Sequence, residues 1–406
     1  LLQKQWIKEL FTLPLAIYVL GLMIFSMTTS EFMVAGIMPS LSEEFGVSVA
    51  AIGYLISAYA AGMIIGGPLL TVGLLKVPRK KAFLTLSTVF LIGQTLGALA
   101  PNYELMMAAR IITGVASSAC FGVAIAIALT LVRPEASGRA ASIVLGGLMV
   151  ATAVGLPAAM LFDQYLGWRA SFWAVVFLVL ISGIMGLLLI PKSPKEEAES
   201  LSLRGELAAF KNRHLWAAFA TSMLIIGATF AAFSYFSPIL TDVAGFSASM
   251  VPLLLGVYGV ATVIGNTITG RLADRYMMPI LTIGLVVLTG ALLMFGLFAA
   301  HQVVAVIAVI VIGLVGVSMN PPMVTRVARA SNGGSLVNTF HVSVVNFGIV
   351  VGSTIGGLTI DHGYGLASPL WVGAVLAVLG LLSLIPYLKK TQAPADSAAV
   401  PEKTCA

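Results

Sequence analysis

The stretch VPLLLGVYGVATVIGNTITGRLADRYMMPILTIGLVVLTGALLMFGLFA, residues 251–299, decides the fold. Its only charges are Arg271, Asp274 and Arg275. The apolar run on each side is long enough to cross a bilayer core as a helix of about 20 residues. Neither run alternates as a barrel strand would, which selects helices. Two such runs with a short charged island between them read as antiparallel neighbours whose connection lies on one side of a membrane.

The same reading extends along the chain. Spans are expected at about 14–39, 49–75, 82–100, 104–132, 140–163, 170–190, 215–240, 249–272, 279–299, 303–325, 335–360 and 367–388. Of 406 residues, 59% are hydrophobic and 9% charged, with a mean hydropathy of +1.03. A soluble domain carries nearer about 25% charge, so lipid is the solvent for most of this chain. The first run, from Pro14 to Pro39, is too long for a signal-peptide core and lacks a small-residue cleavage site, so it reads as the first span. Cys120 and Cys405 form no disulfide framework.

The net charge of +6 does not indicate nucleic acid, because the basic residues sit in short clusters between apolar runs. With the N-terminus inside, of 22 Lys and Arg only Arg169 falls outside and only Arg110 within a span. The positive-inside rule therefore places both termini in the cytoplasm.

The chain also repeats. An offset of 199 residues (238 minus 39) lays Pro39 on Pro238, Leu41 on Leu240, Glu43 on Asp242 and Gly46 on Gly245. It continues with Ser48 on Ser247, Tyr59 on Tyr258 and Gly66 on Gly265, and DQYLG at 163–167 answers DHGYG at 361–365. The expected organisation is an N-terminal six-helix bundle (1–191), a charged cytoplasmic linker (192–214), a C-terminal six-helix bundle (215–390) and a polar, disordered tail (391–406). Repeats of this kind place a substrate site between the halves, near the midplane.

GRLADR, residues 270–275, resembles the loop motif G-x-L-x-D-R of the major facilitator superfamily. The first-half copy at 66–81 departs from it, with Leu75 in place of the Asp and Pro78 in place of a Gly. ARIITG (109–114) resembles the fourth-span R-x-x-x-G motif of drug exporters. GGLMVATAVGLPAAMLFDQYLGWRASFW (146–173) resembles the fifth-span Gly/Pro element of the antiporter branch. TSEFMVAGIMP (29–39) is similar to the first span of twelve-span drug/proton antiporters, closest to the chloramphenicol-resistance and sugar-efflux exporters. The resemblance implies an all-α polytopic fold of twelve transmembrane helices in two pseudo-symmetric bundles, placed in a bacterial inner membrane.

An ionisable residue inside a span is costly and marks function by default. Glu31 and Arg110 lie at matching depth, roughly 12 Å below the outer surface at 1.5 Å per residue, where an ion pair is plausible. Glu31 is the expected proton carrier, since burial favours the neutral acid and a nearby cation favours the carboxylate; a fixed Glu31–Arg110 brace is the alternative. Phe230 occupies the position equivalent to Glu31 in the second half (230 minus 31 is 199). Tyr59, Phe230, Phe233 and Tyr258 are candidates for lining an apolar substrate cavity, with Asn338, His341 and Asn346 of the eleventh span as its polar contacts. Gating candidates are Gly270, Arg271, Asp274 and Arg275 at the inner loop, with Asp274 able to pair with either arginine. Gly155 and Pro157 are gating candidates in the fifth span, where Gly146, Gly147 and Gly155 remove side chains. Gly62 with Gly66, and Gly352 with Gly356, have the spacing of close helix contact.

The expected function is export of small lipophilic or amphipathic compounds in exchange for protons. The alternative is a proton-coupled or uncoupled carrier of a sugar, nucleoside or other small metabolite. No phosphate-binding G-x-x-x-x-G-K-[ST] run is present, which argues against a nucleotide-driven pump; the expected energy source is the proton gradient, with no cofactor or metal. Scattered histidines argue against an intramembrane enzyme. The partners expected are a small-molecule substrate, protons and the lipid bilayer, with no nucleic acid, and the chain is expected to be a monomer.

Overall fold

A computed structural model describes residues 13–74, 77–133, 136–191, 208–331 and 335–388. Leu75, most of the linker and the tail lie outside the described residues. Those described form helices and turns with no strand. The first half contains α1 (Leu15–Gly36), the short α2 (Met38–Phe45), α3 (Val49–Leu74), α4 (Arg79–Ala98) and α5 (Tyr103–Thr130). It continues with α6 (Ser137–Val150), which runs through a π turn (Ala151–Gly155) into α7 (Leu156–Leu166), and closes with α8 (Trp168–Leu189). The second half contains α9 (Arg213–Phe233), α10 (Val251–Leu297), α11 (Gln302–Val315) leading through a 3-10 turn to α12 (Asn320–Ser331), α13 (Ser335–Thr359) and α14 (Ser368–Leu388).

Eleven membrane-length helical stretches among the described residues carry the twelve expected crossings. The difference lies in the opening sequence. α10 is 47 residues long, with one non-helical residue, Tyr276 (φ −121°, ψ 29°). A Cβ on Gly265 would overlap Leu314 O, and one on Gly284 would overlap Met319 Sδ. Two residues that a straight helix would hold about 28 Å apart thus meet one short turn, so the chain doubles back at Tyr276. Pro279 assists, having no N–H for the carbonyl of Arg275. The expected connection at 273–278 is therefore helical on both sides of a single reversing residue.

The repeat is visible in the backbone. Gly46 (φ 61°) and Gly245 (φ 71°) end their segments in the left-handed region, and Gly167 and Gly365 reverse the chain with φ 84° each. These conformations admit glycine at little cost. Helix starts use local caps: the Asn102 side chain accepts the Leu105 N–H at 3.0 Å, and Asn212 that of His214 at 2.9 Å, each cap contributing about 1 kcal/mol.

In the membrane stretches of α1 and α9, 78% and 72% of residues are buried, against 33% in α8. The first and seventh spans are therefore central and the sixth peripheral. Close approach uses small residues, as the sequence predicts. A Cβ on Gly62 would lie 2.5 Å from Ile111 O and one on Gly66 2.5 Å from Val115 O, which seats α3 on α5; one on Gly352 would overlap Gly227 O, which seats α13 on α9. Hydrogen bonds between described residues of the two halves run Ser48–Asp361, Tyr54–Asp361, Ser57–Ser353, Ser57–Thr354 and Gln164–Ala248 O. All lie at the end where α1 finishes and α3 begins. Among the described residues none joins the halves at the opposite end.

Candidate functional site

Arg110 is 1% exposed. Its Nη1 donates to Ser30 O at 2.7 Å and Ser30 Oγ at 3.3 Å, Nη2 to Glu31 O at 3.1 Å, and Nε to Leu55 O at 3.4 Å. Its guanidinium carbon stands 4.4 Å from the centre of the Tyr59 ring, and Tyr59 Oη donates to Met27 O at 3.2 Å. One cation thus ties α1, α3 and α5 through carbonyl oxygens, a charge-assisted arrangement that compensates its burial. Among the described residues no ion pair joins the Glu31 carboxylate to Arg110. The expected pairing is replaced by contact with the Glu31 backbone, and Glu31 as a residue is half-buried. Ser30 Oγ donates to Gln94 Oε1 at 2.7 Å, and Gln94 Nε2 to Phe172 O at 3.4 Å, which extends the polar network to α4 and α8.

One residue further along α1, Phe32 crosses to the second half. Its ring lies 6.0 Å from Phe230 and 5.7 Å from Phe233. Phe233 stacks on Tyr258 at 5.1 Å, and Phe236 meets Tyr258 edge-on at 5.7 Å. Phe230, Phe233 and Tyr258 are all buried. The structure therefore brings these three aromatic candidates together, closed on one another, and places Tyr59 apart from them under Arg110.

His341 is buried, shares a hydrogen bond with Ser222 Oγ at 2.9 Å and stacks on Phe219. Asn346 is buried, donates to Val342 O on its own helix and leaves Oδ1 without a partner. Asn338 is exposed at the first turns of α13. Arg326, one of the basic residues that set the topology, is buried; it donates to Thr221 Oγ1 at 2.8 Å and lies over the Tyr387 ring.

The fifth-span element forms a seam. A Cβ on Gly147 would overlap Gly21 O, and one on Gly155 would overlap Thr29 Oγ1, both on α1, whereas Gly146 faces open space. Pro157 has no N–H to give the carbonyl of Ala153, and the π turn accommodates the gap. Across the seam, a Cβ on Gly259 would overlap Thr152 O and lie 2.5 Å from Ala153 Cα. An apolar groove of about 480 Å³, lined by Pro157, Leu161, Pro252 and Val260 among others, runs along it.

At the inner loop, a Cβ on Gly270 would meet only Pro321 Cγ at 3.8 Å, an ordinary contact; the close approach is at Gly265. Arg329 donates to the backbone carbonyl of Asp274, and Arg275 lies over the Tyr276 ring. Among the described residues the Asp274 carboxylate pairs with neither Arg271 nor Arg275. At the outer rim, Arg169 Nη1 meets Glu44 Oε1 at 2.7 Å, and that hydrogen bond holds the Glu44 carboxyl below its usual range. No group of three or more His, Cys, Asp or Glu able to hold a metal ion gathers among the described residues.

Two bundles whose described residues hydrogen-bond to each other at one end, with a charged network beneath an aromatic contact, are matched by a family model. The Major Facilitator Superfamily model covers residues 20–340. The chain belongs to this superfamily. It is 32% identical to a chloramphenicol resistance protein of Streptomyces lividans over 95% of this chain and 100% of that protein. It is also 32% identical to the inner membrane transport protein YdhP of Escherichia coli (strain K12), over 90% of this chain and 94% of the other. Among solved structures, a bacterial homologue of the human lysosomal transporter Spinster, in an inward-facing and unoccupied conformation, superposes with a TM-score of 0.76 at 15% identity. That match covers 94% of this chain and 98% of the other. The chain is thus a multi-pass membrane transporter.

Sequence reasoning missed Ser30, Gln94 and Phe32. Ser30 and Phe32 flank Glu31 directly, and that adjacency was the available signal. Gln94 is a polar residue within the third span, the kind that needs a partner in lipid.

Proposed function

We propose that this superfamily member exports small lipophilic or amphipathic compounds by alternating access, in exchange for protons, with Glu31 as the proton carrier. The observation that carries the proposal is Glu31 itself. Among the described residues it is the acid set deepest among the spans, partly exposed, unpaired by Arg110 and next to the aromatic contact between the halves. Arg110 keeps a positive charge near the carboxylate without neutralising it in an ion pair. Proton gain and loss at Glu31 can therefore be felt directly by the contact that must open and close.

The full-length similarity to a protein named for chloramphenicol resistance supports a drug-like substrate. Buried rings of Phe230, Phe233 and Tyr258 suit an apolar guest once they part. The positive-inside reading puts both termini in the cytoplasm and the joined end of the bundles outside, in a bacterial inner membrane. The end at which no hydrogen bond joins the described residues of the two halves then faces the cytoplasm. A monomer is sufficient for this cycle, and the proton gradient is its energy source.

The test is uptake into energised inverted vesicles, using a panel of lipophilic drugs and simple sugars, with and without a protonophore. Drug accumulation that the protonophore abolishes, and that Glu31→Gln lacks at normal expression, supports the proposal. Proton-driven transport retained by Glu31→Gln removes Glu31 from the mechanism. Downhill equilibration of a sugar, indifferent to the protonophore, replaces export with facilitated passage.

A further inference from the structure

The two turns that the repeat equates do different work. In the first half, Asp163 Oδ2 accepts from Ser40 Oγ at 2.7 Å, a bond within its own bundle. In the second half, Asp361 reaches across. Its Oδ1 accepts from Ser48 Oγ at 3.0 Å and its Oδ2 from Tyr54 Oη at 3.2 Å, both belonging to the first half. Ser48 is also fixed from its own side, since its Oγ accepts the Ala51 N–H at 3.1 Å and caps the start of α3.

The symmetry-related seam lacks this device. The position equivalent to Ser48 is Ser247, which bonds Ser249 in its own half. The position equivalent to Tyr54 is Leu253 (253 minus 54 is 199), which has no hydroxyl. What crosses there is the Gln164 amide, to the carbonyl of Ala248 at 2.6 Å, beside the apolar groove. The α3–α13 seam is also layered. Beneath Asp361, the Gly53 and Gly357 backbones close on Tyr235, whose Oη donates to Ser353 O at 2.8 Å, and Ser57 bonds Ser353 and Thr354.

We propose that Asp361 is the latch of the outer gate, a positioning residue that holds the α3–α13 seam shut through Ser48 and Tyr54, while the opposite seam has no carboxylate latch and closes by packing and the single Gln164 amide bond. A carboxylate accepting two hydroxyl donors from the opposite bundle favours only the state in which the bundles meet at that end. The latch rests on the alternating-access reading above.

The experiment uses the full chain with Cys405→Ser. Spin labels at positions 104 and 301, exposed at the outer ends of the two halves, report outer opening by pulsed dipolar spectroscopy. A second pair at 130 and 211 reports the inner end. For Asp361→Ala the outer-open to outer-closed ratio should rise roughly fivefold, the scale of two water-exposed hydrogen bonds to a charge. Tyr54→Phe should give part of that rise and add nothing once Asp361 is gone. Asp163→Ala should leave the ratio unchanged. An unchanged ratio in Asp361→Ala, in a protein whose labels show two exchanging populations, overturns the latch and leaves alternating access standing. Labels that show one outer distance in every variant and with every substrate overturn alternating access itself. Equal shifts from Asp163→Ala and Asp361→Ala would make both residues general stabilisers and overturn the latch.

Discussion

Two glycines of α10, six residues apart, separate the cost of opening from the cost of folding. A Cβ on Gly259 would overlap the carbonyl oxygen of Thr152 in the first half; one on Gly265 would overlap the carbonyl oxygen of Leu314 in the second. Both obstacles are backbone, which cannot rotate aside. Gly→Ala also removes a helix penalty of about 1 kcal/mol at either site, so that gain cancels in the comparison. Overpacking of this kind costs about 1–3 kcal/mol. For Gly259→Ala the cost falls only on the state in which α10 seats against the π turn, so the ratio of outer-open to outer-closed populations should rise about 5- to 150-fold. For Gly265→Ala the contact lies inside one bundle and exists in both states. The thermal midpoint should fall and the ratio should stay. Spin labels at 104 and 301 read the ratio, and scanning fluorimetry in detergent reads the midpoint. Equal movement of the ratio in both variants, or none in Gly259→Ala, would refute the assignment of the seam to the conformational change.

Arg110→Lys replaces a fork that serves three carbonyl oxygens with one ammonium, and at about 1 kcal/mol per lost buried bond it should cost about 2 kcal/mol; an unchanged thermal midpoint would show that the network does not hold α1 to α5. Phe32→Ala removes the ring that bridges α1 to Phe230 and Phe233, and dipolar spectra should show it populating the outer-open state more than wild type. Gln94→Leu leaves Ser30 Oγ without its acceptor and should lower stability by about 1 kcal/mol with proton-driven transport retained, read from melting and vesicle uptake together. The carboxyl group of Glu44 is held low by Arg169, so its contribution to stability is complete above its ordinary value and fades as pH falls through the lowered one. Melting curves of wild type and Glu44→Gln should therefore converge in acid.

Much of the fold was legible because lipid leaves a coarse signal. Spans are long and apolar, and the glycines at 46, 245, 167 and 365 mark reversals that the backbone confirms. Glu31 and Arg110 stood out because charge is rare in a span. Their relation did not, since Arg110 spends its donors on carbonyl oxygens, and main-chain acceptors leave no trace in sequence. Facing was equally hidden. α1 and α3 are apolar on every face, so no stripe shows that Phe32 on α1 points at Phe230 while Tyr59 on α3 turns under Arg110. Asp361 showed only as part of the repeated DHGYG segment, because its partners lie some 300 residues away, in the other half.

Phe230 standing where symmetry would put a second Glu31 has an energetic consequence. Were the proposed Glu31 the sole proton carrier, one proton would be exchanged per cycle, and for a neutral cargo each cycle would move one net charge. The membrane potential then contributes about 2.3 kcal/mol per 100 mV, and each unit of pH gradient about 1.4 kcal/mol. With 100 mV and one pH unit, the total of about 3.7 kcal/mol corresponds to a concentration ratio no steeper than roughly 500-fold. A monovalent cationic cargo would leave the exchange electrically silent and lower that ceiling to about tenfold. On the proposed exchange, cargo charge would then determine how far the cell can be emptied of a compound.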